Sequence, residues 1–329
     1  MQVIDDLSKA NLSAPSFVTI GSYDGVHIGH QYLLKQMKGA AIQAGCLAVM
    51  VTFHPRPQAV LAPDRPVTYL TMPDEKIAVL DSLGLDLTAV LQFTREMART
   101  PAADFVAGLV THLKMRQLWA GADFALGRNR EGDIPRLRQL GETMGFQVAV
   151  VEPFVQGGEV VSSTRIRALL AVGEIRQVAA LLGRYPSLAG QVTTGAQRGR
   201  RLGFPTANLA IMPERVIPAN GIYAGFAWVN GRRYPAVASI GVRPTFSETE
   251  RTVEAYLLDF SGDLYGLDLK LELVEWLRPE IRFESLDALV AQIRADVEQA
   301  TLLLAQETLP LPRSEGTSRS KYGGGLSGS

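Results

Sequence analysis

Residues 17–151 alternate short apolar runs with amphipathic stretches, and that alternation constrains the fold more than any other feature. Phe17–Ile20, Leu47–Phe53, Leu87–Phe93, Gln117–Ala120 and Phe146–Val151 read as strands. Between them Ile28–Ala44, Asp74–Leu83, Ala102–Leu113 and Ile134–Met144 have helical spacing. Strands rich in Val, Leu and Ala and separated by helices predict a parallel sheet covered on both faces, the α/β class. Ser163–Ala171 and Glu174–Leu182 read as two further helices, stopped by Gly173 and Gly183.

After Gly183 the texture changes. Gly221–Asn230, Arg232–Ile240, Thr252–Leu258 and Leu267–Trp276 read as closely spaced strands, and Asn230-Gly231 is a strong hairpin turn. Such spacing predicts a small antiparallel barrel or sandwich, closed by one amphipathic helix over Ser285–Leu304. A chain of 329 residues accommodates two domains. The expected division is 1–184 and 185–307, with a Ser-, Gly- and Arg-rich tail over 308–329 expected to be disordered. Within that tail Gly323-x-Gly325-x-x-Gly328 matches a dinucleotide-binding pattern letter for letter. It has no strand before it and no helix after it, so it is read as composition only.

Several function classes are disfavoured by composition. Lys plus Arg and Asp plus Glu number 33 each, which leaves no global basic field for nucleic acid. Cys46 is the only cysteine, so no intrachain disulfide or multi-cysteine zinc site can form. It stands in the apolar run Cys46–Val51 and reads as a buried structural thiol. No apolar run approaches the roughly 18 residues of a membrane span, and the N-terminus has no basic stretch followed by an apolar one. A cytoplasmic protein acting on small molecules, without nucleic-acid or membrane partners, is expected. Self-association is left open.

The strongest local signal is Gly21-Ser22-Tyr23-Asp24-Gly25-Val26-His27-Ile28-Gly29-His30, placed between the first Phe17–Ile20 strand and its helix. Open α/β sheets bind ligands at the carboxyl ends of strands, beside helix N-termini that attract phosphate. Gly21, Gly25 and Gly29 allow tight turning and close backbone approach. His27 and His30, three residues apart, can face one way and donate hydrogen bonds to charge developing on a phosphate. The plainer reading is a pair of surface or capping histidines.

This stretch resembles the HxGH nucleotidyltransferase superfamily, and more narrowly the Gly-x-Phe-Asp-Gly-Val-His-x-Gly-His form of prokaryotic bifunctional riboflavin kinase/FAD synthetases. Tyr23 stands where that form usually has Phe. Gly121-Ala122-Asp123-Phe124 through Gly127 resembles the family segment whose acidic or amide residue helps hold ATP and whose aromatic residues border the flavin. Ser162-Ser163-Thr164-Arg165-Ile166-Arg167 resembles its Ser-Ser-Thr-x-x-Arg motif. Hydroxyls and N–H groups at a helix start, with Arg167 a turn later, would steady a pyrophosphate leaving group. Taken alone, the hexapeptide is equally a common capping pattern. One departure stands out: Thr52-Phe53-His54-Pro55-Arg56-Pro57 replaces the family's Thr-Phe-Asp/Glu-Pro-His-Pro. Either Arg56 binds phosphate as a planar cation, or His54 substitutes from a shifted position, or adenylyl transfer is impaired.

The second signal runs from Gly195 to Asn208: Gly-Ala-Gln-Arg-Gly-Arg-Arg-Leu-Gly-Phe-Pro-Thr-Ala-Asn. Its glycines at 195, 199 and 203, interleaved with Arg198, Arg200 and Arg201, suit a loop wrapping polyphosphate. In extended chain Thr206 and Asn208 fall on one side, where their oxygens can jointly approach Mg²⁺. A basic solvated turn or an RNA-contacting loop fits the residue types alone equally well. The segment resembles the riboflavin kinase signature centred on Gly-Phe-Pro-Thr-Ala-Asn, here Gly203, Phe204, Pro205, Thr206, Ala207 and Asn208. Gly221–Gly225, Gly241–Phe246, Thr252–Phe260 and Asp263–Gly266 follow in family order.

The resemblance covers roughly residues 15–305 and implies a Rossmann-like adenylyltransferase domain followed by a β-barrel riboflavin kinase domain. It implies Mg²⁺ at Thr206 and Asn208, Glu254 as the base, and ATP as co-substrate of both steps, with riboflavin, FMN and FAD as substrate and products. It further implies that His27, His30 and Arg167 stabilise charge, and that Gly21, Tyr23, Asp24, Gly29, Arg56, Asp123, Phe124, Ser162, Ser163, Thr164, Gly195, Arg198, Gly203 and Pro205 bind ATP or flavin. A kinase with a degraded adenylyltransferase half, or an RNA-acting HxGH protein, are the alternatives.

Overall fold

The computed structural model describes residues 1–194, 199, 202–244 and 249–307. They form two compact units, the first of Met1–Val67 and Thr71–Val161, the second of Thr68–Leu70 and the described residues from Ser162 on. Gly195, Arg198, the neighbouring Arg200 and Arg201, Thr245, Phe246 and the tail 308–329 lie outside the described residues.

In the first unit the strands are β1 (Gln2–Ile4), β2 (Ser16–Ile20), β3 (Leu47–Phe53), β4 (Leu87–Leu91), β5 (Met115–Gly121) and, after the short hairpin of β6 (Ala125–Leu126) and β7 (Gly132–Asp133), β8 (Gln147–Val151). A second small hairpin, β9 (Val155–Gln156) with β10 (Glu159–Val160), ends the unit. The six-stranded sheet runs β1-β4-β3-β2-β5-β8, and every pairing in it is parallel. Helices α1 (Ile28–Gln43), α2 (Pro57–Leu61), α3 (Pro73–Ser82), α4 (Ala102–Leu113) and α5 (Ile134–Met144) make the connections.

Alternation along β3 builds two cores. Val49 and Val51 meet Val106, Leu109, Leu137 and Leu140 of α4 and α5, whereas Ala48 and Met50 meet Leu34, Met37 and Leu80 of α1 and α3. Cys46 is buried in the second of these cores. The apolar runs are long because both faces of the sheet are covered. β1 escapes sequence reading because three residues are too few to show a period.

In the second unit α6 (Ser163–Ala171) and α7 (Ile175–Leu182) pack together, and α7 packs on the barrel. The compact units therefore divide at Val161/Ser162, upstream of the 184/185 boundary expected from texture. The amphipathic pattern of α7 shows one apolar face but does not say which sheet covers it.

The barrel is closed by six strands in the order β11-β12-β15-β14-β13-β16: β11 (Ser187–Thr193), β12 (Ala207–Ala210), β13 (Gly221–Val229), β14 (Arg232–Pro244), β15 (Thr249–Leu257) and β16 (Asp268–Arg278). All its pairings are antiparallel, and Asn230-Gly231 makes the β13–β14 turn, both residues at positive φ. Helix α8 (Leu286–Ala305) packs on β13, β14 and β16. Its anchor is Asp296, 4% exposed, which accepts from Arg278 Nε at 2.9 Å and Nη2 at 2.7 Å.

Removing one partner of a bidentate buried pair strands the other charge. Asp296→Ala is expected to cost about 3 kcal/mol, measured by urea unfolding in a Trp119→Phe background, where Trp228 and Trp276 report on the barrel.

Candidate functional sites

β2 lies between β3 and β5, and the chain leaves β2 toward β3 but returns to β2's other side as β5. That reversal makes the carboxyl end of β2 the switch point of the sheet, where a crevice opens. The turn Gly21–His30 occupies it. The segments after β3 and β5, which carry Arg56 and Asp123, leave the same edge of the sheet because all the strands are parallel.

Tyr23 and Val26 take positive φ values of 45° and 38°, and Gly25 one of 84°. Non-glycine residues hold such a conformation only when their surroundings over-determine it. Tyr23 is buried, and its hydroxyl lies 2.5 Å from Thr19 Oγ1. Val26 is fully buried in the same core.

His27 caps α1: its Nδ1 accepts the backbone N–H of His30 at 3.3 Å. The plainer sequence reading of a capping histidine is therefore correct as far as it goes. The cap has a chemical consequence. A neutral ring that accepts at Nδ1 carries its proton on Nε2, and is left a donor there. The two imidazoles stack at 3.6 Å between centroids. A Cβ on Gly29 would sit 3.2 Å from His27 Nδ1, so this glycine lets the ring fold onto the helix start. His30 is held well below the usual histidine range, by burial first and then by its neighbours His27 and Lys76. It is neutral near pH 7, and its Nδ1 is buried with no hydrogen-bond partner among the described residues. An orphaned polar atom of this kind costs about 1–3 kcal/mol and is tolerated chiefly at sites that complete themselves with a ligand.

Asp24 is 1% exposed. Its Oδ2 accepts from Arg56 Nη1 at 3.1 Å, and its Oδ1 faces the Thr71 N–H at 3.4 Å. Of the two residues that depart from the family pattern, Arg56 is the one that reaches the turn, while His54 is exposed. The His54–Pro55 peptide bond is cis.

Lys76 escaped the sequence reading. It is 5% exposed, and its Nζ donates to Ser22 O at 2.8 Å and Thr52 Oγ1 at 3.3 Å. A signal was available, since Lys76 precedes Leu80 by one turn and so shares the buried face of α3.

Asp123 is exposed after β5, and Phe124 is half-buried against the α4/α5 core. Ser162, Ser163, Thr164 and Arg167 belong to the second unit. Ser162 Oγ accepts the Arg165 N–H at 3.2 Å and caps α6, as the capping reading expects. Thr164 is exposed, and Arg167 Nη2 donates to Thr68 O at 3.0 Å.

In the barrel, antiparallel register sets Asn208 of β12 opposite Glu254 of β15. Val253, Ala255 and Leu257 are buried, which turns Thr252, Glu254 and Tyr256 to the other face, as strand alternation requires. Thr206 Oγ1 donates to Glu254 Oε2 at 2.9 Å. Thr206 borders two cavities, and Glu254 lines one of them. One of about 530 Å³ is lined by Pro205, Thr206 and the 260–265 loop. The other, of about 340 Å³ and mostly apolar, is lined by Thr206, Glu254, Tyr256, Phe204 and the inner face of α8. Gly203, at φ 86°, makes the turn that brings Phe204 into the second cavity, edge-on to Tyr256 at 5.5 Å.

Tyr23→Phe tests the one departure within the HxGH turn. It deletes the contact with Thr19, whose hydroxyl still donates to Trp119 O at 2.8 Å. The expected loss is about 1 kcal/mol of stability with no change in nucleotide affinity, read by denaturant unfolding and by equilibrium binding of ATP.

Comparison with known proteins covers both units. A family model described as FAD synthetase matches residues 9–165, and one described as riboflavin kinase matches residues 182–304. The bifunctional riboflavin kinase/FMN adenylyltransferase of Escherichia coli (strain K12) is 37% identical over 281 residues, 85% of this chain and 90% of that protein. The protein of the same name from Listeria monocytogenes serovar 1/2a is 33% identical over 291 residues, 88% and 92% of the two chains. A solved structure described as a macrolide-efflux protein from Streptococcus pneumoniae superposes with a TM-score of 0.84 at 29% identity, covering 91% of this chain and 98% of its own. No helix among the described residues is long and apolar enough to cross a membrane. Carrying both matched domains in order, and this similar to proteins that carry the same two, the chain belongs to the bifunctional riboflavin kinase/FMN adenylyltransferase family.

Proposed function

We propose that this enzyme phosphorylates riboflavin to FMN with ATP in the barrel, then joins FMN to the AMP moiety of a second ATP, releasing pyrophosphate and forming FAD. The observation that carries the kinase half is the Thr206–Glu254 pair, in which Thr206 borders both cavities and Glu254 lines the apolar one. The apolar cavity beneath α8 suits a flat ring system, and the more polar one suits a nucleotide. Ligands in the two would meet at Thr206, with Glu254 bonded to it on the apolar side. There the carboxylate, oriented by the Thr206 hydroxyl, accepts the proton of riboflavin's primary hydroxyl as that oxygen attacks the γ-phosphoryl group and ADP departs.

Thr206 just before β12 and Asn208 within it offer hard oxygen donors two residues apart, a set that fits Mg²⁺ sharing its shell with phosphates and water. When bound there, Mg²⁺ would neutralise charge on the transferred group. Gly195, Arg198, Gly203 and Pro205 complete the loop assigned to polyphosphate.

In the adenylyl half, His27 Nε2–H and the Arg56 guanidinium supply donors to phosphate oxygens at the switch point, and His30 is available as a neutral partner. Positioning and charge stabilisation suffice, with no covalent intermediate. Gly21, Tyr23, Asp24 and Gly29 shape the turn. Asp123 and Phe124 are assigned to ATP and flavin, and Ser162, Ser163, Thr164 and Arg167 to the pyrophosphate. In functional terms residues 1–184 serve adenylyl transfer and 185–307 the kinase. A cytoplasmic setting is supported by the ATP that both steps consume.

The test is a product assay with riboflavin, ATP and Mg²⁺. Wild type is expected to make FAD, and His27→Ala to stop at FMN. Glu254→Gln is expected to lose about 10²–10⁴-fold in the kinase step while still converting supplied FMN to FAD. Loss of one and the same step in both variants would refute the two-site reading.

A further inference from the structure

Lys76 has no part in the chemistry above, yet it is the most buried cation among the described residues of the first unit's site. It lies beneath the turn, 5% exposed, and cannot be explained as a solvated lysine. Its ammonium bridges Ser22 O at the end of β2 and Thr52 Oγ1 at the end of β3. The Thr52 hydroxyl in turn donates to Ser22 O at 3.3 Å, closing a triangle between two parallel strands at the switch point. The charged and titratable groups facing it are Asp24 from the β2–α1 turn, Arg56 from the start of α2 and His30 from α1. Glu75, its neighbour on α3, turns away to accept the Met72 N–H at 3.0 Å. With His30 neutral, Arg56 and Lys76 together outweigh Asp24 by one positive charge.

We propose that Lys76 is a positioning residue of the nucleotide site. It ties the ends of β2 and β3 together and keeps the floor of the turn one charge positive for a polyphosphate anion. The proposal rests on the reading that this turn binds the ATP used in adenylyl transfer. A cation held this far from water is costly, and a bound polyphosphate would offset that cost, since Asp24 is already shared with Arg56. Burial, with Arg56 adding repulsion and Asp24 opposing it, brings the ammonium down to about 8. The unliganded site therefore holds the charge below about pH 8 and loses it above.

The experiment uses the full chain as wild type, Lys76→Gln, Lys76→Arg and Lys76→Met, supplied with FMN, ATP and Mg²⁺ between pH 7 and 9.5. Circular dichroism and the melting temperature are measured alongside as controls of folding. In wild type the KM for ATP in FAD formation is expected to rise as pH passes about 8. Gln and Met should raise that KM about 10-fold or more at pH 7.5, the size of one lost charge-assisted hydrogen bond, and flatten its pH dependence. Arg should hold KM within about 3-fold of wild type across the range, with kcat little changed.

An unaltered KM and an unaltered pH profile in Lys76→Gln would overturn the proposal. So would loss of FAD formation with a lowered melting temperature in all three variants, which would make Lys76 a folding residue only. Failure of the underlying reading looks different: wild type itself would form no FAD from FMN, and the proposal would fall with it.

Discussion

A parallel strand bonded on both edges and covered on both faces can place its chemistry only at its ends. β2 is such a strand, and the first unit is organised around that constraint. Its flanks are filled by β3 and β5 and its faces by the α1/α3 and α4/α5 layers. The residue run that follows emerges at the switch point, where no side chain of a neighbouring crossover fills the gap. Polar groups drawn into so enclosed a place must satisfy one another. Asp24 answers Arg56 and the Thr71 backbone, Lys76 answers Ser22 and Thr52, and His27 answers the His30 N–H. The buried Nδ1 of His30 is answered by no hydrogen-bond partner among the described residues.

The barrel solves a different problem. A closed antiparallel sheet has no free strand end in a crevice, so its chemistry has to be carried on a strand face and covered from outside. Register does the first job by setting Glu254 opposite Asn208 and within reach of Thr206. Helix α8 does the second, fastened by the Arg278–Asp296 pair so that its apolar face lines the cavity beside Glu254. The fastening and the cavity share residues, since Arg278 and Asp296 both line it. Stability of the barrel and shape of its binding space are thus linked through one ion pair.

Much of this is legible in the chain. Helices α4, α5 and α6 begin and end where their spacing places them, because each has an apolar stripe, with Gly145 just after α5 and Gly173 soon after α6. β3 is legible as one apolar run because both its faces are buried. β1, β11 and α2 are not legible, being short or lacking a period of their own. Lys76 is hidden for another reason. A lysine on an amphipathic helix is nearly always solvated, so only the packing of α3 against the ends of β2 and β3 shows its charge turned inward.

The sequence by itself determined the element types, the order of the two domains and the clusters Gly21–His30 and Gly203–Asn208, since these depend on local period and on residues whose chemistry is fixed. Tertiary structure alone decided which partner each charged group would face. Arg56 rather than His54 meets Asp24, Lys76 lies under the turn, and α6 and α7 pack with the barrel. Burial and pairing arise between segments distant in the chain. Their energies depend on how completely water is excluded, and no local pattern of residues encodes that.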